Sequence, residues 1–292
     1  MSTPFAELLP RSAGSSAIRV WLKSSAYTKR LLLGADDADP WGSAAGFLAY
    51  FSQAHGLLKP DVAVIEVGDL FEAWSRREGG LAARLGSRRR PATALRKLLE
   101  PAAPKAVLAE VVEAVLAHLR GQTPLVLAMP SPRAWLMHTN RLAGGADEDL
   151  DLDSVEDAAM YVADLIRSVS TFPISGLLLE EQADDRDLGS DFVEPYRSVI
   201  NVARHYRWSV ALRLPVFAQV PAEAMAGLDA VIAGAGGYDG SLPFGSDISA
   251  AFAAGQAIAP PPTGQFQFVE IAPGLRPEAV LEMLARLRAL SA

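Results

Sequence analysis

The sequence predicts one α/β domain over residues 1–292, a (β/α)8 TIM barrel of parallel strands alternating with helices. Three observations lead there. Short apolar runs alternate with helix-spaced stretches along the whole chain. The run at 62–67, Val-Ala-Val-Ile-Glu-Val, is β-branched and broken only by Glu66, as expected of a strand covered on both faces in a parallel sheet. The length of 292 residues suits one barrel, typically about 250 residues, with an extended loop or helical excursion around 75–103. No stretch reads as a linker between independent domains, and no short repeat occurs.

Taken in order, 18–23 is the first strand, and the polar stretch 24–40 reads as a loop. Phe47, Leu48 and Phe51 mark a helix over 43–54, which Gly56 is placed to stop. The strand at 62–67 follows, with Gly68-Asp69 where a loop should begin. Residues 75–90 are charged and glycine-punctuated. A helix over 104–119 carries Val107, Leu108, Val111, Val112, Val115, Leu116 and Leu119 on one face, and Gly121 ends it. Strand three is 124–129, and 130–133 is a loop. After a Gly- and Asp-rich stretch at 144–153, Ser154 caps a helix with Asp157 in a capping-box variant. Its buried stripe is Val155, Ala158, Val162, Leu165, Ile166 and Val169. Strand four is 176–180, and Asp191 caps the next helix toward Tyr206. Strands five to eight are 208–214, 228–233, a weak 256–259 and 266–271. Pro277 opens a final helix with Val280, Leu281, Leu284 and Leu287 inward.

Half the residues are hydrophobic and the mean hydropathy is +0.16, enough for a large core. A net charge of −7 and a pI near 5.2 exclude a general nucleic-acid surface, which needs a basic face. The chain has no cysteine, which excludes disulfides and thiolate metal sites and fits a cytoplasmic protein. No run of 18 apolar residues reads as a membrane span, and residues 1–10 lack the pattern of a signal peptide.

Several segments resemble the uroporphyrinogen decarboxylase (URO-D) family, in the order the family has them and over most of the chain. Val20-Trp21-Leu22 is similar to its early Pro-Val-Trp segment. Lys59-Pro-Asp-Val-Ala-Val-Ile-Glu-Val-Gly-Asp-Leu70 resembles the segment that ends in Phe-Ser-Asp-Ile, Thr123 to Pro132 its Val-Pro-Leu-Ile strand and loop, and Phe192-Val-Glu-Pro-Tyr196 its Phe-x-x-Pro-Tyr helix start. Residues 266–278 take the place of the family's last strand, loop and helix.

The resemblance implies a cofactor-independent decarboxylase or related lyase, a small anionic, carboxylated substrate, a homodimer, and Asp69 as the central carboxylate. The chain departs from the family in three places. Lys23-Ser-Ser-Ala-Tyr27 replaces the Arg-Gln-Ala-Gly-Arg-Tyr motif, with Lys29 and Arg30 nearby. Glu180-Glu-Gln-Ala-Asp184 replaces an Asp-Ser-Trp motif, and the late His is missing. These departures point to a divergent member with a different ligand. A methyltransferase of the same superfamily is one alternative, although such enzymes generally hold zinc through Cys and His. A non-catalytic barrel that binds a ligand or a partner is the other.

Ligands of α/β folds bind at the carboxyl ends of the strands, which selects the candidate site residues. Asp69 supports a developing cation or relays a proton there, or caps the following turn. Glu66 lines the mouth or forms a structural ion pair, since a buried carboxylate needs a partner. Lys23, Arg133 and Arg213 are candidate carboxylate clamps, and Glu180 is a partner for Arg213 in what is equally a structural pair. His138 stands near the same rim, as a catalytic group or an ordinary helix residue. No His pair has metal-ligand spacing, so no metal is expected, and the resemblance implies that no cofactor is needed. The glycine-rich loop 234–240 and Arg88-Arg89-Arg90 are candidate anion contacts, with turn-making and a solvated cluster as their plainer readings.

Overall fold

The computed structural model describes residues 3–10, 17–34, 39–79, 91–143, 151–182, 189–215, 221–236, 238 and 240–290. Among them, eight parallel strands form one sheet: β1 (Val20–Lys23), β2 (Ala63–Glu66), β3 (Leu125–Pro130), β4 (Gly176–Glu180), β5 (Ser209–Arg213), β6 (Ala230–Ala233), β7 (Phe244–Asp247) and β8 (Gln265–Glu270). The order β1-β8-β7-β6-β5-β4-β3-β2 makes a nearly closed (β/α)8 barrel. Pairing stops between β1 and β2. There the Asp61 carboxylate accepts from the backbone N–H groups of Arg19 and Val20, both at 3.0 Å, and ties the start of β1 to the approach of β2.

The helices are α1 (Ser25–Leu33), α2 (Ala44–Leu58), α3 (Val67–Arg77), α4 (Pro91–Leu99), α5 (Ala102–Leu119), α6 (Pro132–Leu142), α7 (Leu152–Arg167), α8 (Arg197–His205), α9 (Ser249–Ala253) and α10 (Pro277–Leu290). Side chains alternate along each strand, so every second residue points down the barrel. The interior cluster contains Trp21, Val126, Ala128, Leu178, Ala211, Ile232, Phe266 and Phe268. Phe5 closes its base edge-on to Trp21, with ring centroids 5.2 Å apart. Each such fully buried side chain stabilises the fold by about 1.5–3 kcal/mol. Glycine is needed at two interior positions. A Cβ on Gly176 would lie 2.4 Å from the Phe5 ring and 2.3 Å from a backbone oxygen, and one on Gly245 would lie 2.6 Å from Phe266.

The sheet agrees with the expected barrel, while several local expectations need correction. The 24–40 stretch contains α1, which buries only Tyr27 and Thr28 and so shows almost no apolar periodicity. Gly56 does not stop α2. The helix runs on to Leu58, whose burial offsets the glycine's cost of about 1 kcal/mol, and ends at Lys59 in the left-handed region. No loop follows β2: α3 begins at Val67, which places Asp69 in its first turn, and Gly68 packs where a Cβ would sit 3.1 Å from the Pro130 ring. Of the 75–103 excursion the described residues, 75–79 and 91–103, are mainly helical, and Leu95, Leu98 and Leu99 of α4 enter the core. Arg88-Arg89-Arg90 lie outside the described residues.

Helix α6 starts at Pro132 under a Ser131 cap, inside the expected loop. Asp151, not Ser154, caps α7, its Oδ1 accepting from Ser154 N at 2.9 Å, and the expected α7 stripe is buried. Asp191 precedes a 3-10 turn (Glu194–Tyr196), and α8 begins only at Arg197. Strand seven is Phe244–Asp247 rather than 256–259, because Phe-Gly-Ser-Asp carries too little apolar signal to be read as a strand. On α10, Met283 is buried and Leu281 is exposed. Of the 234–240 loop, Gly237 and Asp239 lie outside the described residues. Among the described residues no helix is long and apolar enough to cross a membrane.

Candidate functional site at the C-terminal mouth

The alternation that fills the barrel also makes its mouth charged. Two residues beyond Trp21, Val64, Leu178, Ala211, Gly245 and Phe268 come Lys23, Glu66, Glu180, Arg213, Asp247 and Glu270, each the last residue of its strand. These six side chains converge. Lys23 Nζ lies 2.7 and 2.6 Å from the two oxygens of Glu180, 3.6 Å from Glu270 and 3.8 Å from Glu66. Arg213 reaches Glu180 at 3.1 Å, Glu270 at 2.6 Å and Asp247 at 3.0 Å, and its guanidinium lies 4.5 Å over the Phe268 ring. Asp247 also accepts from the backbone and hydroxyl of Ser249, whose Oγ in turn accepts from Glu270 N.

Burial opposes the charge on Lys23, but Glu66, Glu180 and Glu270 outweigh it and hold the ammonium above its ordinary pKa. Burial likewise opposes the charge on Arg213, and Glu270, Asp247 and Glu180 outweigh it. Glu270, also resisted by burial, is pulled below the usual carboxylate range by Lys23 and Arg213. Glu66 is the exception. Burial raises it most, Lys23 lowers it only in part, and Glu180, Asp69 and Glu270 push it further up, to about 8. Its side chain is 11% exposed, and its Oε1 is buried without a hydrogen-bond partner. Its surroundings favour the neutral carboxylic acid over the carboxylate.

A cavity of about 50 Å³, room for a few water molecules, opens beside Glu66 where β1 and β2 part. Its polar lining includes Thr28, Lys29, Tyr50 and Asp69, with Trp41, Phe47 and Phe51 opposite. Lys29 and Asp69 pair at 2.7 Å. Tyr50 and Thr28 hydroxyls lie 2.6 Å apart, and each also has a backbone acceptor in range, Ser24 O at 2.9 Å for Thr28 and Ser25 O at 3.3 Å for Tyr50. Burial raises the phenol's pKa.

The structure thus gathers Lys23, Glu66, Glu180 and Arg213 into one network and puts Asp69 at the cavity, three residues past the end of β2. It separates the other two candidates. His138 on α6 lies 3.7 Å from Glu72 of α3, a half-exposed contact between helices. Arg133, in the first turn of α6, stacks 5.2 Å over Phe192 and leaves its Nε unpartnered. Nearby, the Glu181 carboxyl accepts from the buried Tyr196 hydroxyl, and burial raises both groups. Glu180 and Arg213 are in contact, as the sequence suggested. Four residues escaped the sequence reading as site members: Lys29, Tyr50, Asp247 and Glu270. Two carried a usable signal: Glu270 by its two-residue spacing from Phe266 and Phe268, and Lys29 by its place near the replaced arginine motif. Among the described residues no group of three or more His, Asp or Glu is arranged to hold a metal ion.

Fold and site together define a (β/α)8 barrel with an ion-paired mouth and a cavity at its open seam. No protein-family model matches the chain, and no curated protein matches it significantly.

Proposed function

We propose that the protein is a cofactor-independent lyase acting on a small carboxylated molecule in the β1–β2 cavity, with Glu66 as its proton donor. One observation carries this reading: Glu66, a buried carboxyl that burial pushes up to about 8, belongs to the wall of a cavity and has an oxygen without a hydrogen-bond partner. Decarboxylation, the reaction implied by the resemblance to the URO-D family, leaves an electron pair that must be protonated. A positioned acid with a pKa near the working pH does this best and accelerates such steps by about 10²–10⁴-fold. Lys29, which lines the cavity, turns a free ammonium proton to the substrate carboxylate while Asp69 keeps the ammonium in place. Lys23 and Arg213 play no clamping part, because they do not line the cavity and each holds several carboxylates of the protein.

The test is CO2 release from a panel of small carboxylic acids, wild type against Glu66→Gln. The expected result is turnover that falls by about 10²–10⁴-fold in the variant. In the wild type it should also fall about tenfold per pH unit above pH 8, as Glu66 loses its proton. Equal turnover by both proteins contradicts the reading. The mutual satisfaction of Lys23 and Arg213 favours a second reading, a barrel that binds its ligand without transforming it. Ligand-induced thermal shifts with no turnover by the wild type would favour that one.

A further inference from the structure

A cavity of about 50 Å³ holds a few water molecules and is too small for a carboxylic acid with a carbon skeleton of its own. Part of its wall has to move before such a molecule enters. Most of the wall is fixed. Strands β1 and β2 belong to the sheet, and α2 buries Phe47, Tyr50, Phe51 and Leu58. Helix α1 differs from them. It supplies Ser25, Thr28 and Lys29 to the wall, yet it buries only Tyr27 and Thr28. Leu31 and Leu33 are 37% and 40% exposed, so they add little to its attachment.

The attachments of α1 are few and mostly polar. Near its start, Tyr27 belongs to the apolar cluster that includes Val280 and Leu284 of α10, and Leu32 rests half-buried against the main core. The Tyr50 hydroxyl reaches Thr28 Oγ at 2.6 Å and Ser25 O at 3.3 Å, and Lys29 reaches Asp69 at 2.7 Å. Gly34 ends the helix in the left-handed region, with open space where a Cβ would be. We infer that α1 is a lid on the cavity, pivoting near Tyr27 and latched by Lys29 and Asp69, and that it lifts to admit the substrate. The inference rests on the reading of this cavity as the substrate site and names the element that controls entry. A segment with few buried apolar contacts opens at a lower free energy than the core around it. The latch side chains are 16% and 30% exposed, so salt reaches the pair and weakens it. Closing returns the Lys29 ammonium to Asp69 and shuts water out of the site.

Native-state hydrogen exchange at pH 7, with no substrate present, tests the lid. The α1 amides should exchange at least about 100-fold faster than those of α7, whose apolar stripe is fully buried. Lys29→Met keeps the apolar stem and removes the ammonium, and it should speed α1 exchange about two- to fivefold while leaving α7 unchanged. Sodium chloride at about 1 M should do the same to the wild type and not to the variant. A second measurement follows the inner side of the helix. The chain has no cysteine, so Thr28→Cys places a single thiol at a position that is 1% exposed. Iodoacetamide should alkylate that thiol only as α1 lifts, and faster by the same factor once Lys29→Met is added.

Three results would overturn the inference: α1 amides as protected as those of α7, rates that neither Lys29→Met nor salt changes, or a thiol that stays unreactive while residues 31–33 exchange. The last would mean that only the final turn frays. None of these readouts needs turnover. A lid that opens as expected on a protein inactive toward every acid would remove the lyase reading and leave the lid standing. A fixed α1 in an active enzyme would remove the lid and leave the lyase reading.

Discussion

At the scale of single residues, Glu66 makes the stability of the fold depend on pH. Its carboxyl titrates at about 8 in the folded chain, against the usual 4.5 when unfolded. Below the unfolded value both states carry the proton, and the contribution is fully present. Between the two values only the folded state holds it, so stability falls by about 1.4 kcal/mol per pH unit until the folded value is passed. Glu181, also raised by burial, acts in the same direction. Urea unfolding at pH 5, 6.5 and 8 should therefore show wild type losing a few kcal/mol more than Glu66→Gln, which has no proton to release. Parallel curves would contradict a neutral Glu66. Lys23 and Glu180 were legible in the sequence as charges that end apolar strands, and Glu66 and Arg213 as charges that interrupt them. Glu270 obeys the same rule and was passed over. Asp247 was hidden because its strand was not recognised.

At the scale of elements, legibility followed the strength of the apolar pattern. Helix α7 shows its whole buried stripe, and its contacts match it. Helix α1 buries two residues, and nothing in its pattern separates it from a polar loop. Strand β7 is the sharper case. Its interior residue is Gly245, because Phe266 and Ile232 fill the space that a side chain would need. A strand whose inward position is empty loses the alternation by which strands are read. Gly245→Ala should destabilise the barrel by about 1–3 kcal/mol in denaturant unfolding, the usual cost of overpacking. Phe266→Leu in the same chain should recover part of that loss, since ring atoms lie closest to the added methyl group. An unchanged midpoint in Gly245→Ala would mean that the two walls are looser than these distances. Asp69 was misplaced for an element-scale reason: β2 passes into α3 without a loop, and Val67 looks like one more strand residue until the helix has formed.

At the scale of the molecule, the barrel is organised along its axis. Phe5 plugs the base, aromatic and aliphatic side chains fill the middle, and six strand ends carry the charges of the mouth. Four carboxyl groups meet two cations there, and a neutral Glu66 reduces the excess of negative charge from two to one. Ion pairs at this depth are stabilising only while every member keeps its partners, which ties Lys23 and Arg213 to the architecture. The unpaired seam between β1 and β2 supplies the one feature a sealed mouth would lack, an opening that reaches Glu66. No motif encodes that arrangement. It arises from strands distant in sequence, which is why the sequence indicated a barrel more readily than a site. Glu66 reports on all of it at once, because its proton depends on Lys23, Glu180, Glu270 and Asp69 together. The direct measurement is a 13C NMR titration of the Glu66 carboxyl in the folded protein, assigned through Glu66→Gln. A midpoint near pH 8 is the predicted result. A midpoint between 4 and 5 would make Glu66 an ordinary paired carboxylate and remove the acid on which the proposed chemistry depends.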